Sequence, residues 1–212
     1  MTLVEFSWGV KELLLNAEAL GPGWYSMYTA VSFGGILITV CSMSQVPVWF
    51  ERKFDFTFPV EQYPNVCVRL RGTPGRLEEM LRGVPRDVLV DKIGEKWSAQ
   101  EHSGHLLDLE SLWLTRVDDF LTGGDTLTVA DLSNRKTHEA NHNAGALTEV
   151  LAEFRTARLR LLDRVGKFQP SDFARSMLHP RLKKPMRLVD HLYFAAEHDD
   201  HHLARIWELI NT

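Results

Sequence analysis

Cysteine is nearly absent: the 212-residue chain has two, Cys41 and Cys67. They form no Cys-x-x-Cys and no zinc-knuckle spacing. That argues against a disulfide framework or a thiolate metal site, and for a reducing, cytoplasmic setting with both thiols free. A basic stripe is missing too. Net charge is -4, with both signs mixed along the chain, so no surface is set aside for a nucleic-acid backbone. No stretch alternates apolar and polar residues over a useful length, which argues against a large sheet. There is no internal repeat and no low-complexity tract, and no basic segment precedes an apolar run as a secretory signal requires. Hydrophobic residues make up 44%, which fits one folded domain with a substantial core rather than a disordered chain.

Charge itself is absent from one long window, Trp24 to Phe50. Its length admits a membrane helix. Against that reading, the apolar heart from Val31 to Val40 is short, Gly34 and Gly35 interrupt it, and no Lys/Arg cluster flanks it. The preferred reading is an N-terminal extension of unknown role over residues 1–48, followed by a domain over residues 49–212, with no membrane partner.

The domain carries four segments of helical periodicity. The first runs from about Pro59 to Arg82, where Pro64 and Pro74 require a late start or a kink. The second runs from Ser98 to Leu121; Ser98 is an N-cap with Glu101 as its capping-box partner, and Gly123-Gly124 stops the helix. The third runs from about Thr137 to Val165, and the fourth from about Arg187 to Ile210. Four helices of this length predict an all-α four-helix bundle.

Histidine is what the chain has in excess: nine, with seven in three short clusters. His198 and His202 are one turn apart on the fourth helix, so two imidazoles share a face and can bind one metal ion. His201 points away from them, toward solvent. Asp199 falls near the centre of the apolar stripe, where a carboxylate needs a partner; beside two ligand histidines it is a candidate to orient an imidazole. A third ligand must come from another helix. On the second helix His102 and His105 both fall near the stripe, and periodicity does not choose between them.

Two rival motifs overlap at the third helix. His138-Glu139-x-x-His142 matches the zinc-protease pattern, yet it stands at the head of its helix, off the stripe of Val150, Phe154 and Leu161, with no third ligand following. Glu139-x-x-His142 also fits half of a di-iron bundle motif, and the second half is missing.

Three stretches resemble the DinB/YfiT-like metalloenzyme family. They are Trp97-Ser98-x-x-Glu101-x-x-x-His105-Leu106-x-Asp108-x-Glu110, then Glu139-Ala140-Asn141-His142-Asn143 with Leu151, Phe154, Arg155 and Arg158, and last His198-Asp199-x-His201-His202-Leu203. The resemblance covers about Phe50 to Leu209. It implies a four-helix bundle with an up-down-down-up layout and one divalent metal on three histidines. Carried over, these are His105, His198 and His202, so the choice of His105 over His102 comes from the resemblance. It makes the protease-like match coincidental.

Three neutral imidazoles leave a metal ion its full charge and open positions. Zinc and nickel are the first expectations, manganese and iron(II) the next. Such an ion can activate water for hydrolysis, or a thiol for group transfer. Some members of the wider superfamily use low-molecular-weight thiols, so the resemblance implies a thiol S-transferase acting on a small-molecule substrate. The alternatives are a hydrolase, or a metal-binding bundle without catalysis; a cavity beside the ligands favours an enzyme, a closed dry site the binding protein. Asp199 and Glu101 are the candidates for proton transfer or ligand orientation, although Glu101 also reads as a simple cap. A homodimer is expected from the family's habit of burying helix pairs.

Overall fold

The computed structural model describes residues 46–211 in full, and the backbone of residues 28–33 and 36–41. The chain divides into two units, Met1–Val46 and Pro47–Thr212. In the first, strands β1 (Tyr28–Phe33) and β2 (Ile36–Cys41) form an antiparallel hairpin with Phe33 opposite Ile36. The uncharged window therefore contains paired strands, and its other residues up to 45 lie outside those described. Among the described residues, no helix is long and apolar enough to cross a membrane.

The second unit is the expected four-helix bundle. Its long helices are α1 (Tyr63–Leu81), α3 (Ala99–Thr122), α5 (Leu147–Val165) and α6 (Leu188–Ile210), with short helices α2 (Arg86–Val90) and α4 (Arg135–Ala140) in the connections. Each long helix packs chiefly on two others: α1 on α5 and α6, and α3 on α5 and α6. Successive long helices α1 and α3 are thus diagonal partners, and long connections cross the bundle ends.

Local chemistry sets the ends. Ser98 accepts from the Glu101 amide at 3.1 Å while Glu101 accepts from the Ser98 amide at 2.9 Å, the expected capping box at the head of α3. Gly123, with φ 74°, ends it. Pro64 sits in the first turn of α1, where its missing N–H is not needed.

The third periodic segment is not one helix, which corrects the expectation. Asn134 and Asn141 adopt left-handed backbone, with φ 52° and 48°, and bracket the six residues of α4. Asparagine tolerates that conformation better than most residues, so α4 stops before His142, which lies in a separate 3-10 turn. A further element escaped the periodicity: a hairpin of β3 (Ser176–His179) and β4 (Lys184–Arg187), four residues each, between α5 and α6.

Inside the bundle, two apolar clusters are separated by a polar layer. One holds Leu70, Trp113, Val117, Leu161, Leu192 and Ala195; the other holds Leu77, Leu106, Phe154, Leu203 and Ile206. The layer between them is built on Arg158 of α5, which is fully buried. Its Nη1 donates to Asp199 of α6 at 2.5 Å and its Nη2 to Glu110 of α3 at 2.6 Å. Thr73 of α1 donates to the same Asp199 oxygen at 2.7 Å. Nη1 also reaches the carbonyl of Leu70 at 2.9 Å. That carbonyl is available because its usual helical donor, four residues on, is Pro74, which has no N–H. The proline thus leaves α1 helical and supplies the acceptor that Arg158 needs. One cation between two buried carboxylates is under-neutralised, and burial pushes Glu110 up to about 7 against the pull of Arg158.

Replacing Arg158 by Met would leave Glu110 and Asp199 buried without their cation. The expected loss is about 3–5 kcal/mol in urea denaturation. Arg155→Ala, which breaks the exposed pair with Glu78, should cost no more than about 1 kcal/mol. Equal effects from the two changes would refute the role given to the polar layer.

Candidate metal centre

Winding α6 at 3.6 residues per turn puts His198 and His202 on one face, next to the face that carries Asp199 into the polar layer. Helix α3 meets that face with His105. All three imidazoles are buried, and each offers a ligand atom within 4.8 Å of the other two. The structure thus brings together the three histidines that the resemblance implied.

The ring nitrogens facing away from this point have roles of their own. His105 Nδ1 lies 3.0 Å from the Thr137 hydroxyl, and His202 Nδ1 lies 2.8 Å from His102 Nδ1. Protons on the Nδ1 atoms of His105 and His202 leave both Nε2 lone pairs free. His198 Nε2 faces His202 Nε2 at 3.1 Å, and His198 Nδ1 is buried with no partner among the described residues. Two lone pairs at that separation repel unless a proton or a cation lies between them. Burial holds the imidazoles neutral: it pushes His105 down to about 4, assisted by nearby histidines against the pull of Asp108, and His198 and His202 well below the usual imidazole range. Three neutral, converging nitrogen donors fit a divalent ion of the zinc or nickel kind.

Behind His105 stands a chain of bonds that the sequence reading missed. The Thr137 hydroxyl donates to Asp108, and His142 Nε2 bonds the same carboxylate at 2.9 Å. Burial opposes the charge on Asp108, but the bonds from His142 and Thr137 outweigh it and lower its pKa. Gly104 makes room: a Cβ there would come within 2.2 Å of the His142 ring. Asp108 lies one turn past His105, but on a face it shares with Glu101, Ser111 and Thr115, so nothing in the local pattern marked it as the partner of His142 and Thr137. His142 thus has a place in the fold, whereas His138 and His142 share no helix and do not form the protease pair. Glu139 is exposed.

The two carboxylates expected to assist lie elsewhere. Asp199 has both oxygens on Arg158, and Thr73 donates to one of them, so it orients no imidazole. Glu101 is taken up by the α3 cap and by Lys92 at 2.9 Å. His201, expected toward solvent, lies against Trp49 at 5.6 Å between ring centroids and lines a cavity.

That cavity, about 470 Å³, opens beside the three histidines. Aromatic walls dominate it, with Trp49, Trp97, Trp113 and Phe194 among them. Arg116, His179, Arg181 and Lys183 contribute from α3 and the β3–β4 hairpin.

Three histidines converging from the second and fourth long helices of a four-helix bundle make a group that could hold a metal ion. The sequence profile of the DinB superfamily matches residues 69–206, and the chain belongs to that superfamily. Among solved structures it is similar to YfiT from Bacillus subtilis, described as a probable metal-dependent hydrolase with an unusual four-helix bundle topology. The two share 23% identity over 75% of this chain and 91% of that one, with a TM-score of 0.63. It is also similar to a mycothiol-dependent maleylpyruvate isomerase, at 12% identity over 69% of this chain and 60% of that one, TM-score 0.55. No curated protein sequence matches.

Two outcomes are expected. Thr137→Val, which keeps the shape and removes the oxygen, should weaken zinc affinity roughly 10- to 100-fold in competition with a chelator; an unchanged affinity would remove Thr137 from the site. Second, the buried neutral imidazoles have folded-state pKa values below their unfolded ones: about 4 for His105, about 3 for His102 and His191. Their contribution to stability is complete above about 6.5. Below that the unfolded chain takes up protons first, so stability falls from pH 6.5 toward 4. Denaturation of metal-stripped protein across that range would test it, a flat profile counting against burial of neutral imidazoles.

Proposed function

We propose that this protein is a divalent-metal-dependent enzyme acting on a small molecule bound in the cavity beside His105, His198 and His202, by transfer to or from a low-molecular-weight thiol. The observation that carries this reading is the meeting of three neutral, buried imidazoles with an open, aromatic-lined cavity. A closed site would suit a binding protein; this one has room for a reactant.

A divalent ion on three imidazoles would keep its charge and open positions, and when bound would lower the pKa of a small nucleophile such as a thiol or water. The chain's own residues do the rest. Thr137, backed by Asp108, fixes the orientation of His105, and His102 does the same for His202. The aromatic walls exclude water and hold an apolar reactant.

The choice of thiol over water has its own support. Among the described residues lining the cavity the one carboxylate is Asp131, and both its oxygens are engaged by Ser133 and Arg135. Without a carboxylate base in the cavity, a nucleophile that is itself acidic is favoured, and a thiol loses its proton far more readily than water does. Hydrolysis is the second reading, favoured by the likeness to YfiT at the level of the fold.

The test begins with metal content. About one zinc or nickel ion per chain is expected by elemental analysis, lost in His105→Ala, His198→Ala and His202→Ala and retained in His138→Ala. Loaded protein should then consume a thiol such as glutathione, cysteine or mycothiol together with an electrophilic substrate, with the same variants inactive. Turnover of esters or amides without any thiol would move the assignment to hydrolysis. Failure of the wild type to hold any metal after reconstitution would end the enzyme reading.

A further inference from the structure

The cavity contains two guanidiniums without an anion, those of Arg116 and Arg181. Arg116 is nearly fully buried, at 2% exposure. Its Nε donates to the Thr128 carbonyl at 2.9 Å, and its Nη1 lies 3.3 Å from His179 Nε2. That second contact is a poor one. The His179 Nδ1 accepts from the Leu182 amide at 3.1 Å inside the β3–β4 turn, and a neutral imidazole that accepts at Nδ1 carries its proton on Nε2. An N–H then faces an N–H, and the guanidinium gains no acceptor. The neutral state of His179 follows from its surroundings: burial, then Arg116 and Arg181, push it down to about 4.

Arg181 is carried by the same hairpin turn. Its Nη2 is buried with no hydrogen-bond partner, and its guanidinium lies over Phe194 at 5.6 Å and Phe50 at 5.2 Å. Neither arginine is in an ion pair among the described residues, whereas every arginine at the outer face of α6 is. Arg52 and Arg69 pair with Glu197, and Arg69 and Arg76 with Asp200. Burial and the proximity of Arg181 lower Arg116 to about 10, with Asp119 pulling the other way; it still carries its charge at neutral pH. A buried guanidinium and a half-buried one left in this state call for an anion.

We propose that Arg116 and Arg181 form an anion-binding end of the cavity, and that the ligand is an amphipathic organic acid. Its carboxylate bridges the two guanidiniums, and its apolar body lies along Trp113 and Phe194 toward the three histidines. Trp113 joins the two ends physically: its ring is 5.8 Å from the Arg116 guanidinium carbon and 5.6 Å from the His198 ring. An acid held in this way presents its far end, not its carboxylate, to the histidines. This inference deepens the reading above by naming the substrate class, and it relies on that reading for the reaction.

The experiment compares 3-phenylpropionate with its neutral amide, 3-phenylpropionamide, by isothermal titration calorimetry, using full-length protein both metal-stripped and zinc-loaded. The acid should bind about tenfold or more tightly than the amide in both forms, as a charge-assisted contact implies. Arg181→Met, at a half-exposed position, should abolish that preference while leaving the far-ultraviolet circular dichroism unchanged; Arg181→Lys should keep part of it. Arg116→Met should act in the same direction. Equal binding of acid and amide by the metal-stripped wild type would overturn the proposal, as would no binding of either at millimolar concentration. A preference seen only with zinc and intact in Arg181→Met would place the carboxylate at the histidines. That too overturns the proposal and leaves the metal reading standing. A preference retained by a protein that takes up no metal would uphold the anion site and sink the metal-dependent reaction instead.

Discussion

A guanidinium buried away from water must find its acceptors in the protein, and Arg158 finds them on the three other long helices. Glu110 belongs to α3, Asp199 to α6, and the Leu70 carbonyl to α1. Hydrophobic packing is tolerant of small shifts, because apolar contacts have no direction. This layer is not tolerant: a rotation of any one helix withdraws an acceptor from a buried charge, which is among the costlier things a protein can do. The two apolar clusters on either side supply the drive to collapse. The layer selects one arrangement among those that collapse would allow.

The candidate metal centre inherits its order from that layer. Asp199 follows His198 directly, so the residue that fixes the rotation of α6 is covalently next to a proposed ligand. On α3, Glu110 does the same a turn and a half beyond His105. Helix rotation is therefore settled by the ion-pair layer, and ring orientation by Thr137 and His102. The cavity walls are shared: α3 and α6 supply Trp113, Arg116 and Phe194, and the β3–β4 hairpin and the segment after α3 add residues that the long helices do not, including Arg181. The long helices thus carry both the scaffold and the histidines, and the loops that complete the cavity are free to vary around that core.

Much of the bundle was legible in the sequence. The long helices announce themselves by apolar spacing, by Ser98 with Glu101, and by Gly123. The break at Asn141 was not legible, because a left-handed asparagine leaves no mark on hydrophobic periodicity, and it decided whether His138 and His142 shared a helix. Strands of four residues are too short to show alternation, so the β3–β4 hairpin and the arginine it carries could not be placed. The histidine pair of α6 follows from helix geometry, whereas preferring His105 to His102 required the family resemblance, since both lie at the edge of the α3 stripe. Asp199 was correctly located as a carboxylate in need of a partner. Its partner, Arg158, is on another helix, and tertiary pairing of that kind is not written in local sequence.

His105 and His202 are held in place by contacts that do not involve an ion, and this has a consequence for how the chain would handle one. In small zinc-organised domains the ligands come together only as the metal arrives, so losing the metal means losing the fold. Here Arg158, the two apolar clusters and the Thr137–Asp108 bonds stand independently of the centre. An ion could then leave and another enter without the bundle opening. The identity of any metal held there would then be a matter of supply and exchange rate rather than of folding, and a single chain could change metals during its lifetime as the composition of its surroundings changes.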